Sequence, residues 1–269
     1  MSKVIQFVET KYGRLAYRVI GEGGRVPLVL VNRFRGTIDD WDPEFLAAIS
    51  KNRKVIAFDS AGIGRSSGDV PTSIAGMASV VADFTGALGL GLVDLLGWSL
   101  GGLVAQQTTL DYPKIVRRLV VAGSSPGGIK DGPEQHPRVR EVMSHPVNGE
   151  EDFLFLFFPE TETAREEGRL HLRRLSKDTD RGPAVTPQAF MNQIKAFSEW
   201  PGARHRLNEL TKPVLVANGQ HDVMIPAYRS YVLAQEVADG KLVLYPDAGH
   251  AFLFQYIEDF AEEVDRFLE

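Results

Sequence analysis

Residues 93–105 read Val93-Asp94-Leu95-Leu96-Gly97-Trp98-Ser99-Leu100-Gly101-Gly102-Leu103-Val104-Ala105. The apolar run before Gly97 is typical of a strand buried on both faces, and the residues after Ser99 have helical spacing. The pattern G-x-S-x-G between them predicts a tight strand-to-helix turn, in which Gly97 and Gly101 remove side chains that would collide with neighbours. We therefore expect the Ser99 hydroxyl to project above a sheet edge, beside the amides that begin a helix.

A second segment, Gly64-Arg65-Ser66-Ser67-Gly68, has the same five-residue pattern. It is followed by Asp69-Val70-Pro71 rather than by a helical run, and it stands six residues beyond its strand. The context therefore favours Ser99 over Ser66 as the nucleophile. For Ser99 itself, the weaker alternative is a buried hydroxyl on an ordinary strand-to-helix turn.

Short apolar runs and helical periods alternate along most of the chain, which predicts an α/β fold with a mostly parallel sheet and helices on both faces. The runs predicted to be buried strands are 26–31, 55–58, 92–96, 119–123, 214–217 and 242–245. The periods predicted to be helices are 72–90, 99–112, 227–238 and 257–268. Residues 4–8 and 15–20 flank Lys11-Tyr12-Gly13 and predict an antiparallel hairpin at the start of the sheet.

The alternation stops at about Pro126 and resumes after Glu209. We expect 126–209 to be a helical cap inserted into a core formed by 1–125 and 210–269. This insert is rich in aromatic residues, of which Phe155, Phe158 and Phe190 are candidates for the substrate pocket.

One helix of the insert has a clear start, because Thr186 is followed by Pro187. Phe190, Ile194 and Phe197 then fall on one helical face. They either pack the cap on the core or line a pocket.

Composition excludes several classes of protein. Hydrophobic residues make up 43% of the 269 residues, so the chain can bury a large core, and a formal charge of −5 gives no basis for binding nucleic acid. With no Cys there is neither a disulfide framework nor a thiolate metal site. No apolar run approaches the roughly 18 residues that cross a bilayer, and residues 1–6 begin no secretory leader. We expect a cytoplasmic protein without membrane partners.

A serine hydroxyl needs a base that takes its proton and a carboxylate that orients this base. His250 follows the last predicted strand, so it emerges at the same strand-end edge as Ser99. Asp222 follows the strand 214–217 and reaches that edge too, whereas Asp247, the alternative acid, is three residues from the histidine on one loop. Of the other histidines, His221 is interpreted as a bystander and the four in the insert as solvated, namely His136, His145, His171 and His205.

Four motifs in this order resemble those of α/β-hydrolase-fold proteins with a cap: Gly97 to Gly101, Phe58 to Ser66, Asn218-Gly219-Gln220-His221-Asp222, and Gly249-His250. The resemblance covers nearly the whole length and is specific to the superfamily, but not to a substrate. It implies that Ser99, Asp222 and His250 form a catalytic triad. Since position 99 is Ser rather than Asp, it argues against haloalkane dehalogenase or epoxide hydrolase chemistry.

One segment departs from the family, in which the corresponding strand runs into His-Gly. Here it runs into Asn32-Arg33-Phe34-Arg35-Gly36. The resemblance implies an oxyanion hole formed by the backbone amides of Phe34 and Leu100, and Arg33 could shift that turn. Arg33 or Arg35 offers positive charge to an acidic or phenolic substrate unless it is solvated, and Trp98, beside the nucleophile, is a further pocket candidate.

The favoured function is a serine hydrolase of esters, lactones or thioesters, which acts on a small molecule through an acyl-enzyme and uses no metal or organic cofactor. The same triad can also cleave carbon-carbon bonds, transfer acyl groups or make peracids. A second class of function is a ligand-binding or signalling protein with slow or no turnover, an alternative that the altered Asn32-Arg33 segment raises. Oligomeric state and substrate identity are open at this point.

Overall fold

The computed structural model describes residues 4–145 and 147–269. Met1, Ser2 and Lys3, which belong to the stretch predicted to begin no secretory leader, lie outside the described residues. Within these ranges eight strands form one sheet in the order β1-β2-β4-β3-β5-β6-β7-β8. The strands are β1 Gln6–Thr10, β2 Gly13–Ile20, β3 Leu28–Val31, β4 Val55–Phe58, β5 Val93–Trp98, β6 Val116–Ala122, β7 Val214–Gly219 and β8 Gly240–Tyr245. β2 runs antiparallel to both of its neighbours, β1 and β4. The six strands from β3 to β8 are parallel to one another, which confirms the predicted α/β class.

The helices of the described residues cover both faces of this sheet. They are α1 Pro43–Ile49, α2 Ile74–Ala87, α3 Leu100–Asp111, α4 Arg138–Ser144, α5 Glu150–Phe157, α6 Glu162–Ser176, α7 Pro187–Ser198, α8 Ala227–Glu236, α9 Phe252–Gln255 and α10 Ile257–Phe267. Along β3, Leu28 and Leu30 join one buried cluster with α1 and α10, while Val29 and Val31 join another with α2, α3 and α8. None of these helices has the length and apolar character needed to cross a membrane.

Helix α1 was missed by the periodicity analysis, which predicts no helix between β3 and β4. It is short, but its start carries ordinary signals: Pro43 is the first helical residue, and the Asp42 side chain accepts a hydrogen bond from the Glu44 amide. α1 packs against α10, so it closes one face of the sheet.

Helices α4 to α7 lie between β6 and β7, within the segment predicted to be inserted. α7 begins at Pro187, and Thr186 Oγ1 accepts a hydrogen bond from the Ala189 amide. The expectation that Phe190, Ile194 and Phe197 share one role was wrong, because Phe197 is 55% exposed. The buried side of α7 is instead formed by small and polar residues, Ala189, Gln193 and Ala196.

A buried carboxyl group fixes the loop after β4. Asp59 Oδ1 accepts a hydrogen bond from the Ile38 amide at 2.7 Å, and Oδ2 accepts one from the Arg65 amide at 2.9 Å. Burial is the main cause that raises the pKa of Asp59 to about 6, and the charge of Asp39 adds to it, although the two amides oppose the shift. Between about pH 4 and pH 6, the folded chain therefore holds a proton that the unfolded chain has released.

This carboxyl group predicts a pH-dependent difference in stability between the wild type and Asp59→Asn. Because the folded pKa is raised, stability from this group is present at low pH and is lost as the pH rises. We expect the wild-type free energy of unfolding, minus that of the variant, to fall by about 2 kcal/mol between about pH 4 and pH 7. Urea unfolding of both proteins measures it, and a pH-independent difference would contradict the raised pKa.

Candidate active site

Ser99 occupies the turn between β5 and α3 in a strained backbone conformation, with φ 57° and ψ −119°. Close packing fixes this turn, since a Cβ at Gly97 would lie 2.2 Å from the Gly101 carbonyl oxygen and one at Gly101 would lie 2.1 Å from that of Val31. The Ser99 amide donates to the Ala122 carbonyl at 2.9 Å. The serine is thus held at the end of the central strand, where α3 begins.

His250 and Asp222 form a buried pair at the same edge of the sheet. His250 Nδ1 lies 2.7 Å from Asp222 Oδ2. The other oxygen, Asp222 Oδ1, accepts hydrogen bonds from the amides of Met224 and Ile225, both at 2.8 Å. This carboxylate can therefore hold the Nδ1–H tautomer of His250, and Nε2 has no hydrogen-bond partner within the described residues.

Two loops that are distant in sequence hold this pair together. The His221 amide donates to the Ala248 carbonyl at 2.8 Å, and a Cβ at Gly219 would lie 2.2 Å from the Gly249 carbonyl oxygen. Trp98 Nε1 donates to the His250 carbonyl at 2.9 Å. The residue before Ser99 is thus bonded directly to the backbone of the histidine.

Asp247, the alternative acid, is engaged elsewhere. Its carboxylate accepts hydrogen bonds from Thr161 Oγ1 at 2.8 and 3.0 Å, next to the start of α6. Its backbone has a φ of 46°, in keeping with a turn. The structure therefore brings Asp222, and not Asp247, to the imidazole of His250.

Ser66, the competing serine, has a local structural role. Its Oγ donates to the Asp59 carbonyl at 2.6 Å and accepts a hydrogen bond from the Ala16 amide at 2.8 Å. The first bond closes the loop after β4, and the second ties this loop to β2. The hydroxyl is occupied by this contact between loop and sheet.

The loop after β3 ends beside the Ser99 turn, because β3 and β5 are parallel neighbours with Val31 opposite Gly97. Asn32 fixes this loop: its Nδ2 donates to the Phe58 carbonyl at 3.0 Å, and its Oδ1 accepts from Trp41 Nε1 at 2.5 Å. The loop that departs from His-Gly is thus anchored by two hydrogen bonds of the Asn32 side chain.

The two predicted oxyanion donors lie next to these features. Phe34 follows in the anchored loop, and Leu100 is the first residue of α3. Within 4–145 and 147–269 neither backbone N–H donates to an acceptor of the chain. Both remain available to a bound group.

The predicted pocket residues fall into two groups. Trp98 contacts the His250 ring at a centroid distance of 6.0 Å, and Phe190 contacts the Phe34 ring at 5.3 Å. Phe155 instead contacts His136 at 5.4 Å, and Phe158 contacts His171 at 6.3 Å. Only the first group touches residues of the candidate site in these ring contacts.

Phe157 was missed by the sequence analysis, although it lies in the same aromatic run. Its ring is 5.6 Å from that of His250 and 5.7 Å from that of Trp98. The Phe157 carbonyl also accepts a hydrogen bond from the Ala251 amide at 3.0 Å. The order of the run in α5 holds no signal for which phenylalanine faces the histidine, because that depends on how α5 packs on the core.

For Arg33 and Arg35, the alternative to a role in substrate binding is a solvated side chain. The structure shows that both side chains instead contact other parts of the protein. The Arg33 side chain is 15% exposed, and its guanidinium lies over the rings of Trp98 and Phe157 at 5.5 and 5.3 Å. Arg35 Nη1 donates to the His145 carbonyl and to Asn148 Oδ1, both at 3.2 Å. Arg35 thus ties the loop to the segment between α4 and α5.

His171 was predicted to be solvated, and this was wrong. It is 1% exposed, and its Nδ1 lies 2.7 Å from Asp42 Oδ2, which also accepts a hydrogen bond from Arg174 Nε at 2.8 Å. Burial lowers the pKa of His171, and the charge and hydrogen bond of Asp42 oppose this shift. The pair joins α6 to the start of α1, a contact between distant segments that the charged sequence around His171 does not reveal.

No group of three or more histidine, aspartate or glutamate side chains in the described residues is arranged to hold a metal ion. The arrangement around Ser99 offers a hydroxyl, an oriented imidazole and two free amides. Together they can carry out nucleophilic attack and proton transfer.

Comparison with known proteins finds similar sequences and structures. The family model described as alpha/beta hydrolase fold matches residues 26–255. A solved structure of an alpha/beta hydrolase fold protein from Chitinophaga pinensis superposes with a TM-score of 0.88 at 34% identity, covering 98% of this chain and 97% of that one.

Curated relatives include a depolymerase and a methyl ester esterase. The chain is 28% identical to a poly(3-hydroxyalkanoate) depolymerase of Ectopseudomonas oleovorans, over 93% of this chain and 86% of the relative. It is also 28% identical to a pimeloyl-(acyl-carrier protein) methyl ester esterase of Nitrosomonas europaea, over 84% and 88% of the two chains.

Proposed function

Because the chain belongs to the alpha/beta hydrolase fold family, we propose that it is a serine hydrolase of carboxylic esters, lactones or thioesters. The observation that carries this proposal is the buried pair of His250 and Asp222 at the strand edge that bears Ser99. The relative named as a methyl ester esterase supports an ester bond as the target, and we propose a small molecule as the substrate.

In this mechanism the Ser99 hydroxyl oxygen attacks the carbonyl carbon while His250 Nε2 takes its proton. Asp222 holds the imidazole and stabilises its charged form. The amides of Phe34 and Leu100 donate to the oxyanion that develops. His250 then returns the proton to the leaving group, and a water molecule, activated by the same histidine, hydrolyses the acyl-enzyme.

Helices α4 to α7 form the cap in this proposal, with 126–209 as the insert and 1–125 and 210–269 as the core. Phe157 of the cap lies against the His250 ring, and Phe190 lies against Phe34. The cap therefore supplies apolar side chains on both sides of the catalytic loops. These side chains suit an apolar part of the substrate, next to the bond that is cleaved.

Trapping of the acyl-enzyme tests the proposed mechanism. p-Nitrophenyl trimethylacetate transfers an acyl group that water attacks slowly, because three methyl groups shield its carbonyl carbon. After acid quenching, we expect peptide mass spectrometry to find the trimethylacetyl group on Ser99. The Ser66→Ala variant, which changes the competing serine, should carry the same adduct.

Two outcomes would contradict this mechanism. One is acylation of Ser66 or of a lysine instead of Ser99. The other is release of p-nitrophenol at the wild-type rate by Ser99→Ala, since this variant lacks the proposed nucleophile. Acylation of Ser99 followed by transfer to an added alcohol or to peroxide, in preference to water, would point to an acyltransferase or perhydrolase with the same triad.

A further inference from the structure

We propose that Arg33 binds a carboxylate group of the substrate next to the bond that is cleaved, so that the enzyme selects anionic esters, thioesters or lactones. This inference rests on the proposed hydrolase function and names its substrate class. It is carried by the unused donors of the Arg33 guanidinium, by the charge around it and by its position beside the catalytic residues.

Most hydrogen-bond donors of the Arg33 guanidinium are unused. A guanidinium has five N–H groups. Within the described residues, Nη1 donates to the Phe34 carbonyl at 2.8 Å, whereas Nε is buried and has no partner. Nη2 lies 3.8 Å from Asp40 Oδ2, which is too far for a hydrogen bond. Free donors on two nitrogens of one planar group suit the two oxygens of a carboxylate.

Asp40, the carboxylate nearest to Arg33, already serves other partners. Its Oδ2 accepts hydrogen bonds from the amide and hydroxyl of Thr37 at 2.8 and 3.1 Å. Its Oδ1 accepts a hydrogen bond from Arg181 Nη2 at 2.7 Å. Arg33 therefore has a nearby negative charge that screens it but does not satisfy its donors.

Several charges act on the Arg33 guanidinium. Burial is the main cause that lowers the pKa of Arg33, and the charges of Arg35 and Arg181 lower it further, while Asp40 opposes them. An anion bound to Arg33 would thus meet the charges of Arg33, Arg35 and Arg181 together with that of Asp40. An anionic ligand would offset the cost of holding the Arg33 charge in a largely buried place.

Arg33 also lies where a substrate group would reach it. Its guanidinium sits over Trp98 and Phe157, the two rings that contact His250. A carboxylate held by Arg33 would therefore lie beside the rings of Trp98 and Phe157, which contact the imidazole of His250.

Pairs of substrates that differ by one negative charge test this inference. The anionic probes are the mono-p-nitrophenyl esters of succinate, glutarate and adipate, and each neutral probe is the same compound with its free carboxylate methylated. We expect kcat/KM of the wild type to favour at least one anionic probe over its neutral partner by about 10- to 100-fold. In Arg33→Met this ratio should fall to about one or below, and Arg33→Lys should retain part of it.

Arg173→Met is the matched control, because Arg173 is exposed on α6 and pairs with Glu166. It should keep the wild-type ratio. Circular dichroism and thermal unfolding of each variant show whether it is folded. A wild-type ratio near one for all three pairs would overturn the inference. An equal fall of kcat/KM for the anionic and the neutral probe in Arg33→Met would also overturn it, because Arg33 would then only position the Phe34 loop.

A binding measurement separates this inference from the hydrolase proposal. Calorimetry on Ser99→Ala, with and without Arg33→Met, compares monomethyl adipate with dimethyl adipate and needs no turnover. We expect the monoanion to bind about 10- to 100-fold more tightly, and only when Arg33 is present. Such binding without any ester turnover would leave the inference standing and overturn the hydrolase proposal, whereas turnover of neutral esters without an anion preference would do the reverse.

Discussion

Replacing His250 by glutamine should lower kcat for an ester substrate by about 10⁶-fold, because removal of the base leaves the Ser99 hydroxyl un-ionised. Asp222→Asn should lower kcat by about 10⁴-fold. The oxygen of the asparagine would keep the hydrogen bonds from the Met224 and Ile225 amides, so its NH2 group would face Nδ1 and hold the histidine in the wrong tautomer. The release of p-nitrophenol from a neutral ester, followed by stopped-flow or steady-state absorbance, measures both effects.

The chain offers a matched control for each of these changes. Asp247→Asn alters the other carboxylate near His250, which binds Thr161, and His221→Gln alters a histidine beside Asp222. Both variants should stay within about tenfold of the wild type, because neither side chain contacts the imidazole. Activity that is lost in Asp247→Asn and kept in Asp222→Asn would reverse the assignment of the acid.

Arg53→Met should destabilise the fold by about 1.5–3 kcal/mol, because it removes the hydrogen bonds of a buried guanidinium to the Asp265 carboxylate. The Arg53 side chain has no exposed surface, and its Nη2 donates to Asp265 Oδ1 at 2.5 Å. Its Nη1 lies 3.7 Å from Asp94 Oδ2, which Arg117 also binds at 2.7 Å. This network joins the chain before β4 and the start of β5 to α10.

Lys51→Met is the control for this prediction. Lys51 also pairs with α10, through Glu258 at 2.7 Å, but its side chain is 59% exposed. Its loss should change the stability little, since water screens exposed ion pairs. Urea unfolding of the three proteins gives the comparison. Equal effects of the two variants would show that the buried pair contributes no more than a surface pair.

The chain organisation could be predicted because its signals are local. The apolar run, the two glycines and the helical period around Ser99 specify strand, turn and helix without reference to the rest of the fold. Asp222 and His250 could be placed at the same edge because each follows a predicted strand of a parallel sheet. The distance of 2.7 Å between His250 Nδ1 and Asp222 Oδ2 is a result that only the structure supplies.

The contacts that were missed are formed between segments far apart in sequence. His171 is buried because α6 brings it to Asp42, and the charged residues around it indicate the opposite. Phe157 faces His250, whereas Phe155 and Phe158, close by on the same run, do not contact it. Such differences depend on the rotation of α5 and α6 against the core, which no local pattern specifies.

The Asn32-Arg33 segment shows both what the sequence can predict and what it cannot. The sequence shows that the family's His-Gly is replaced, and backbone donors do not depend on side-chain identity. It could not show that Asn32 bonds to Phe58 and Trp41, or that Arg33 packs over Trp98 and Phe157. These contacts turn a departure from the family pattern into the proposed anion site.

Labelling with a fluorophosphonate tests the central claim most directly, because this reagent reports an activated serine without knowledge of the substrate. The wild type should gain a single phosphonyl group, which peptide mass spectrometry assigns to Ser99, while Ser99→Ala should gain none. No adduct on a folded wild-type sample, or an adduct on Ser66, would contradict the account. In the first case a ligand-binding protein with slow or no turnover would become the better description of this fold.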